Sequence, residues 1–490
     1  MKVISRREFM KTTAAAGMAF LSPFSRVRGA NNDIRVAVIG LGGGDSGGKG
    51  QQHVNMFNKI EGVRVAALCD VDSEHLGPEI QRLKEQNQAV EGYSDARRIL
   101  DNKSIDAIVI VTPNHWHSLL TVWGCQADKD VYVEKPVSHN IWEGRKMVEA
   151  ARKYDRIVQV GTQRRSDEGL RQAFEYIKQG KLGKIQYIHS MCYRKRESIG
   201  KVSGPQPIPE SVDYNLWTGP APLVPLMRKN LHYDWHWIWA TGNGDLGNNG
   251  IHQLDLCRWA LGQDKLPRRA MSIGGRFGYN DDDGETANTQ IVLLDYKPAP
   301  IIYEVRNLPR KKGDTAMDEY RGVRSGAVIQ CENGYFAGGW AYDNNGEKIK
   351  QFKVSGGSGH HGNFIKAVRD HKASELNADI LEGHLSTALC HMGNISHLLG
   401  AEASPGEIRE RLQGDKEAME TFESFQNHLS ANEVDIKKTR AVLGPWVTMD
   451  SEKEKFVGEF STAANKLLSC LLYTSPSPRD LSTSRMPSSA

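Results

Sequence analysis

Three features of the chain predict an α/β protein. Short apolar strands alternate with helices up to about residue 165, a glycine-rich turn follows the first strand, and later strands alternate with few helices between them. The first pattern reads as a doubly wound parallel sheet. The last reads as a largely antiparallel sheet.

The elements follow in order. Residues 34–39 (Ile-Arg-Val-Ala-Val-Ile) form a strand, then come the glycine-rich turn and a helix over 51–60. Residues 63–70 give a second strand and 73–88 a polar helix. Short apolar strands stand at 107–111 and 131–134, with a helix between them after His117. A charged amphipathic helix over 142–154 leads to a strand at 157–161. After Arg165 a helix over 167–180 precedes an alternating strand at 185–193, the pattern of a sheet open on one face. Residues 194–250 are irregular and rich in proline and tryptophan, a length and composition suited to a substrate-facing loop region. Further strands are expected at 269–277, 288–296, 301–306 and 327–331, with helices near 363–373 and 383–399 packing back on the first domain. The expected division is 33–165 for the first domain and 166–465 for the second. The tail at 470–490, rich in Ser, Pro and Arg, reads as disordered and artefactual.

Composition narrows the function. Hydrophobic residues make up 39% and charged residues 25%, with a net charge of +4 over 490 residues. No basic run stands out, so nucleic acid is not an expected partner. The seven cysteines are scattered with no C-x-x-C pair, which argues for buried free thiols and against a disulfide framework or a metal site. At the amino terminus, Arg6-Arg7 with Phe9 precedes a modest apolar run over 12–21. That pattern matches a twin-arginine export signal over 1–30, cleaved near Ala30, and implies periplasmic location after folded export. The run is too short for a bilayer span, which needs roughly 20 residues.

Four clusters carry chemistry. The turn from Gly40 through Gly42 to Gly50 lets backbone approach a pyrophosphate at the next helix's amino end, with Gly50 as the displaced third glycine of an expanded loop. Asp70 ends the second strand twenty residues past Gly50, where a carboxylate accepts from ribose hydroxyls and repels a 2′-phosphate. NAD is therefore favoured over NADP. Thr112-Pro113-Asn114 with His117 has two readings: a proline turn opening a helix, or residues beside the nicotinamide. Glu134-Lys135-Pro136 closes the strand at 131–134, and proline keeps Lys135 extended so that its amine projects from the carboxyl edge of the sheet.

Beyond these, Gly244 to Asp255 opens an amphipathic helix, and His252 and Asp255, three apart, share a face. A histidine near its ordinary pKa of about 6.5 suits proton transfer from an alcohol. His236 and Trp237 lie in an aromatic stretch that suits either sugar stacking or core packing.

With these motifs in sequence, the chain resembles the Gfo/Idh/MocA oxidoreductases from about Ile34 through Gly400. The resemblance rests on Gly40-x-Gly42, Asp70, Thr112-Pro113-Asn114, Glu134-Lys135-Pro136, Gly161-Thr162-Gln163 and Gly250-x-His252-x-x-Asp255. It implies an NAD(P)-binding Rossmann domain, a C-terminal α/β domain with a large, mostly antiparallel open sheet that serves oligomer contacts (dimer or tetramer), and Lys135 and His252 as catalytic residues. Gly161 and Gln163 would line the site. The family's usual aspartate four residues before the histidine is here Asn248, an amide that orients a hydroxyl but cannot act as a base; Asp245 or Asp255 would then compensate. The expected function is NAD-dependent oxidation of a sugar, cyclitol or glycoside hydroxyl. The rivals are an NAD-dependent glycosidase working by transient oxidation and elimination, and a non-catalytic carbohydrate-binding relative.

Overall fold

The computed structural model describes residues 33–42 and 48–469. The expected export signal, the tail at 470–490 and the middle of the glycine turn lie outside the described residues. Six strands form the first sheet: β1 (Ile34–Ile39), β2 (Val63–Cys69), β3 (Glu91–Tyr93), β4 (Ala107–Ile110), β5 (Asp130–Val133) and β6 (Val158–Val160). All pairs are parallel, in the order β3-β2-β1-β4-β5-β6. The order reverses between β1 and β4, so the crevice at their carboxyl ends is the switch point where such sheets bind ligands. Connecting helices are α1 (Lys49–Asn58), α2 (Ser73–Glu85), α3 (Ala96–Asp101), α4 (Asn114–Gln126) and α5 (Ile141–Lys153).

The central strands are near-continuous apolar runs because both faces are covered. Val36 and Val38 pack with Phe57 of α1, while Ala37 and Ile39 face a cluster containing Leu120 and Met147 of α4 and α5.

Helix α6 (Glu168–Lys178) leads to a twelve-stranded sheet that opens with β7 (Ile185–Tyr193). The order is β14-β13-β12-β11-β7-β10-β9-β8-β16-β15, where β8 is Arg269–Gly275, β9 Thr289–Leu294, β10 Ile301–Arg306, β11 Ser325–Cys331, β12 Gly334–Ala337, β13 Trp340–Tyr342, β14 Lys348–Gln351, β15 Ala401–Ala403 and β16 Ala441–Leu443; β17 (Val447–Asp450), which pairs with β8, and β18 (Lys455–Val457), which pairs with β17, complete the twelve. Its pairs are antiparallel except β7 with β10. The fold is thus the one predicted, with β3 and everything beyond β11 in this sheet added by the structure.

Two expectations need correction. Helix α7 (Ile251–Leu261) was expected to be amphipathic, yet it is buried almost all round, including Gln253, Asp255 and Arg258. It is wedged between the large sheet and a long helix, α9 (Ile380–Leu398), so its polar side chains pair internally. The helix preceding α9, α8 (His360–Asp370), does pack on the first domain, through Phe364 and Ile365 against Val36 and Phe57. Helix α9 instead bridges the layers. Its Ile380 joins the first domain's core, while Leu389 and Met392 join the large sheet's.

Candidate active site

The glycine turn is built by close backbone contact. Gly40 has φ +87°, and a Cβ there would press on the Val111 carbonyl and the Thr112 nitrogen at 2.8–2.9 Å. Gly50, in the first turn of α1, lies against Gly40, and its Cβ would sit 2.6 Å from Leu41 Cα. The helix's amino end is thereby brought onto the turn, with the Gly50 amide donating to the Leu41 carbonyl at 3.0 Å. Asp70 follows β2; its Oδ2 accepts from the Leu41 amide at 2.7 Å and Oδ1 from the Asp72 amide at 3.0 Å.

A cavity of about 560 Å³ lies over this edge. Gly40, Gly42, Gly50 and Asp70 line one end, and Thr112, Pro113, Asn114 and His117 the next part. Glu134, Lys135, His236 and Asn248 line the far end. The irregular segment 194–250 thus contributes cavity wall, including Trp217, His232 and Trp235. Gly161, Gln163, Trp237, His252 and Asp255 are not among the lining residues.

Lys135 is the pivot. The Lys135–Pro136 peptide is cis. Lys135 Nζ donates to the Asn248 carbonyl at 2.8 Å and approaches Asn248 Oδ1 at 3.2 Å. Asn248 sits in a wide π turn, Leu246–Gly250, that runs straight into α7. Its side-chain amide donates to Asp245 Oδ1 at 3.3 Å. Asp245 is fully buried and also receives Arg196 at 3.1 Å, Asn249 and Asn307. Burial opposes its ionisation, but Arg196 and the amides hold its carboxyl below the usual range. The Asn248 position therefore links the lysine to a carboxylate at one remove. Burial lowers the Lys135 ammonium's pKa, with neighbouring Glu134 acting the other way.

Glu134 is engaged from several sides: His53 Nε2 lies 2.9 Å from Oε1, Gln163 Nε2 donates to it at 3.1 Å, and the Lys135 amide donates to Oε2 at 3.2 Å. Burial would raise its pKa, yet His53, Lys49 and Lys135 keep it well below the carboxylate range. A Cβ at Gly161 would meet the Glu134 carboxylate at 2.7–2.8 Å, so glycine there makes room for this group. His53 was not singled out in the sequence. Its position three residues past Gly50, on the helix face turned to the sheet, was the available signal.

His117 bridges backbone: its ring nitrogens lie 2.7 Å from the Pro136 and Thr112 carbonyl oxygens. It ties the β4 turn to the lysine turn. Asn114 donates to Asn243 Oδ1 at 3.0 Å. Trp237 is buried beside the Arg196 guanidinium, 5.6 Å from its ring.

Two further expectations change here. His252 does not sit near its ordinary pKa; burial, then the Lys135 ammonium, push it down to about 3, so it is a neutral imidazole. Like His252, Asp255 does not line the cavity. Arg165 Nε approaches both carboxylate oxygens at 2.9–3.0 Å and Ser386 Oγ donates to Oδ1 at 2.6 Å. Asp255 is a buried structural ion pair with Arg165.

The residues present suit a dinucleotide. Backbone glycines and a helix amino end meet at the switch point, a carboxylate stands at the end of β2, and Thr112 Oγ1 is buried without a hydrogen-bond partner among the described residues. Fold and cavity together define an NAD-binding α/β protein. Residues 34–162 match the Gfo/Idh/MocA oxidoreductase family's NAD-binding Rossmann fold, and residues 192–307 its C-terminal α/β domain. Between them the two matches span half of the chain, which belongs to this family.

Among curated proteins, myo-inositol 2-dehydrogenase of Thermotoga maritima is 26% identical over 231 residues, 47% of this chain and 56% of that protein. Glycosyl hydrolase family 109 protein 1 of Shewanella sp. (strain ANA-3) is 25% identical over 174 residues, 34% of this chain and 37% of that one. The chain spans about half the length of the first of these relatives. Among solved structures, the WlbA dehydrogenase of Bordetella pertussis, in complex with NADH and UDP-GlcNAcA, shares the fold. Its TM-score is 0.54 at 19% identity, covering 74% of this chain and 95% of that one.

Proposed function

We propose that the protein oxidises a hydroxyl group of a sugar, cyclitol or glycoside with NAD as its cofactor. The observation that carries this reading is Lys135, whose Nζ is fixed at 2.8 Å on Asn248 at the end of the nucleotide cavity, next in charge influence to a neutral His252. When bound along Gly40, Gly50 and Asp70, NAD supplies the hydride acceptor. An ammonium has three donors. Two face Asn248, and the third is available to a substrate hydroxyl oxygen, where the positive charge stabilises the developing alkoxide. His252, held neutral but set back from the cavity lining, would take the hydroxyl proton by way of one bridging water. Glu134 keeps the lysine's surroundings anionic without itself being free to take a proton.

The similarity to a family 109 glycosyl hydrolase supports a second reading, in which the same oxidation is transient and acidifies a neighbouring C–H before the glycosidic bond leaves. Export in folded form by the twin-arginine translocase to the periplasm, and assembly as a dimer or tetramer, belong to the same proposal. Exchanging Arg6 and Arg7 for lysine tests the first, and solution mass the second.

The deciding experiment denatures the purified protein, identifies the released nucleotide, and then presents holoenzyme with polyols, sugars and glycosides. Net NADH formation on a polyol or sugar supports oxidation. Aglycone release without net NADH supports the second reading. Absence of nucleotide and of any hydride exchange refutes both.

A further inference from the structure

Where segment 194–250 crosses the rim of the cavity, two histidines and two aspartates converge from distant parts of the chain. Asp72 caps α2: its Oδ1 accepts from the Glu74 amide at 2.9 Å, which leaves Oδ2 to the imidazoles. His232 Nε2 lies 2.8 Å from that oxygen and His75 Nε2 3.7 Å from it. The two rings are 4.5 Å apart, and the ligand atoms of Asp72, His75 and His232 all lie within 4.8 Å of one another.

His232 and Asp72 stand at hydrogen-bond length, and His75 completes a set of three ligand atoms within 4.8 Å of one another, close enough to share one ion. Ligands about 2.1 Å from a tetrahedral zinc stand about 3.4 Å from each other, so the 3.7 Å pair is near that spacing and the 2.8 Å hydrogen bond would open by about 0.6 Å on binding. His75 meets neither of its carboxylate neighbours at hydrogen-bond length, since Nδ1 faces Asp70 Oδ1 at 3.8 Å and Nε2 faces Asp72 at 3.7 Å, whereas N–H···O bonds end near about 3.2 Å. His75 thus turns Nε2 toward the ion position and Nδ1 toward Asp70, with neither nitrogen held by a carboxylate hydrogen bond.

We propose that Asp72, His75 and His232 form a binding site for a zinc-class divalent cation that pins segment 194–250 to the Rossmann domain beside the nucleotide cavity. Two imidazoles and one carboxylate select zinc or cobalt over magnesium and calcium, which prefer all-oxygen sets. Three protein ligands leave a fourth position for water or an oxygen donor. The site departs from the expectation drawn from cysteine spacing, because it uses no cysteine. It does not rest on the proposed reaction. A cation here would slow nucleotide exit, since His75 and His232 both line the cavity.

The test takes the full chain, dialysed against chelator, and titrates it with zinc chloride, cobalt chloride and calcium chloride. The expected result is one equivalent of zinc per chain, visible absorption bands of four-coordinate cobalt, and no calcium binding. Asp72→Asn retains an oxygen to cap α2 and so keeps the fold. It and His232→Ala should each weaken zinc binding by about tenfold or more, as even outer partners of a metal are worth that much. Absence of stoichiometric zinc binding, or equal affinity in the parent and both variants, overturns the proposal.

Discussion

Replacing Asp255 by alanine tests whether this residue holds the fold or the substrate. Its carboxylate is 1% exposed and meets Arg165, itself 8% exposed, through contacts of 2.9–3.0 Å, with Ser386 as a further donor. Removing it leaves a buried guanidinium without its main partner, a loss of about 3–5 kcal/mol for a broken buried pair. Glu382 still reaches Arg165 Nη1 at 3.0 Å, which puts the expected value near about 3 kcal/mol. The assay is equilibrium urea unfolding followed by tryptophan fluorescence. The pH dependence gives a second reading. Burial opposes ionisation of Asp255, but Arg165 holds its pKa below the ordinary value. Its stabilisation is therefore full above the unfolded carboxylate's pKa of about 3.9 and fades as pH falls toward the lower folded value. The alanine variant should lack that fading. A loss under about 1 kcal/mol together with abolished turnover would refute the structural assignment and return Asp255 to the site.

Three further outcomes follow. Gly50→Ala should lose NAD affinity by at least about tenfold in a fluorescence titration, because its Cβ meets backbone at Leu41 that cannot step aside. Asn248→Ala removes the 3.2 Å side-chain contact to Lys135 and keeps the 2.8 Å carbonyl contact, so kcat should fall by about tenfold with the fold intact by circular dichroism. Because burial and the Lys135 ammonium hold His252 at about 3, it stays a neutral imidazole throughout neutral and mildly acidic solution. The kcat/KM profile should show no His252 limb above about pH 4; Lys135→Met, which removes the second cause, should raise the His252 pKa in an NMR titration.

The first sheet was legible because its strands are buried on both faces and read as apolar runs, and because Gly50 and Asp70 keep the spacing of a nucleotide turn. Strand β3, only Glu91–Tyr93 with Glu91 and Gly92 exposed, leaves no apolar signal. Beyond Cys331 the strands are three or four residues long and draw their order from pairing with distant partners, such as β16 with β8. The site was legible in its residue types and less so in its partners. Lys135 and Asn248 are 113 positions apart, and the principal contact is a backbone carbonyl that no side-chain motif announces. His252 and Asp255 share a helical face by spacing, but Arg165, 90 positions away, claims the aspartate. The pKa of His252 depends on burial and on Lys135, neither visible in the residue itself.

The proposed reaction depends above all on Lys135 acting on the substrate oxygen in an NAD-loaded cavity. Its most direct test is single-turnover formation of NADH by Lys135→Ala holoenzyme, using the substrate that reduces the parent's nucleotide. Nucleotide content should be undiminished and the rate lowered about 10²–10³-fold, the usual loss when a preorganised alkoxide-stabilising group is removed. A variant that keeps its nucleotide and turns over within about tenfold of the parent would contradict it.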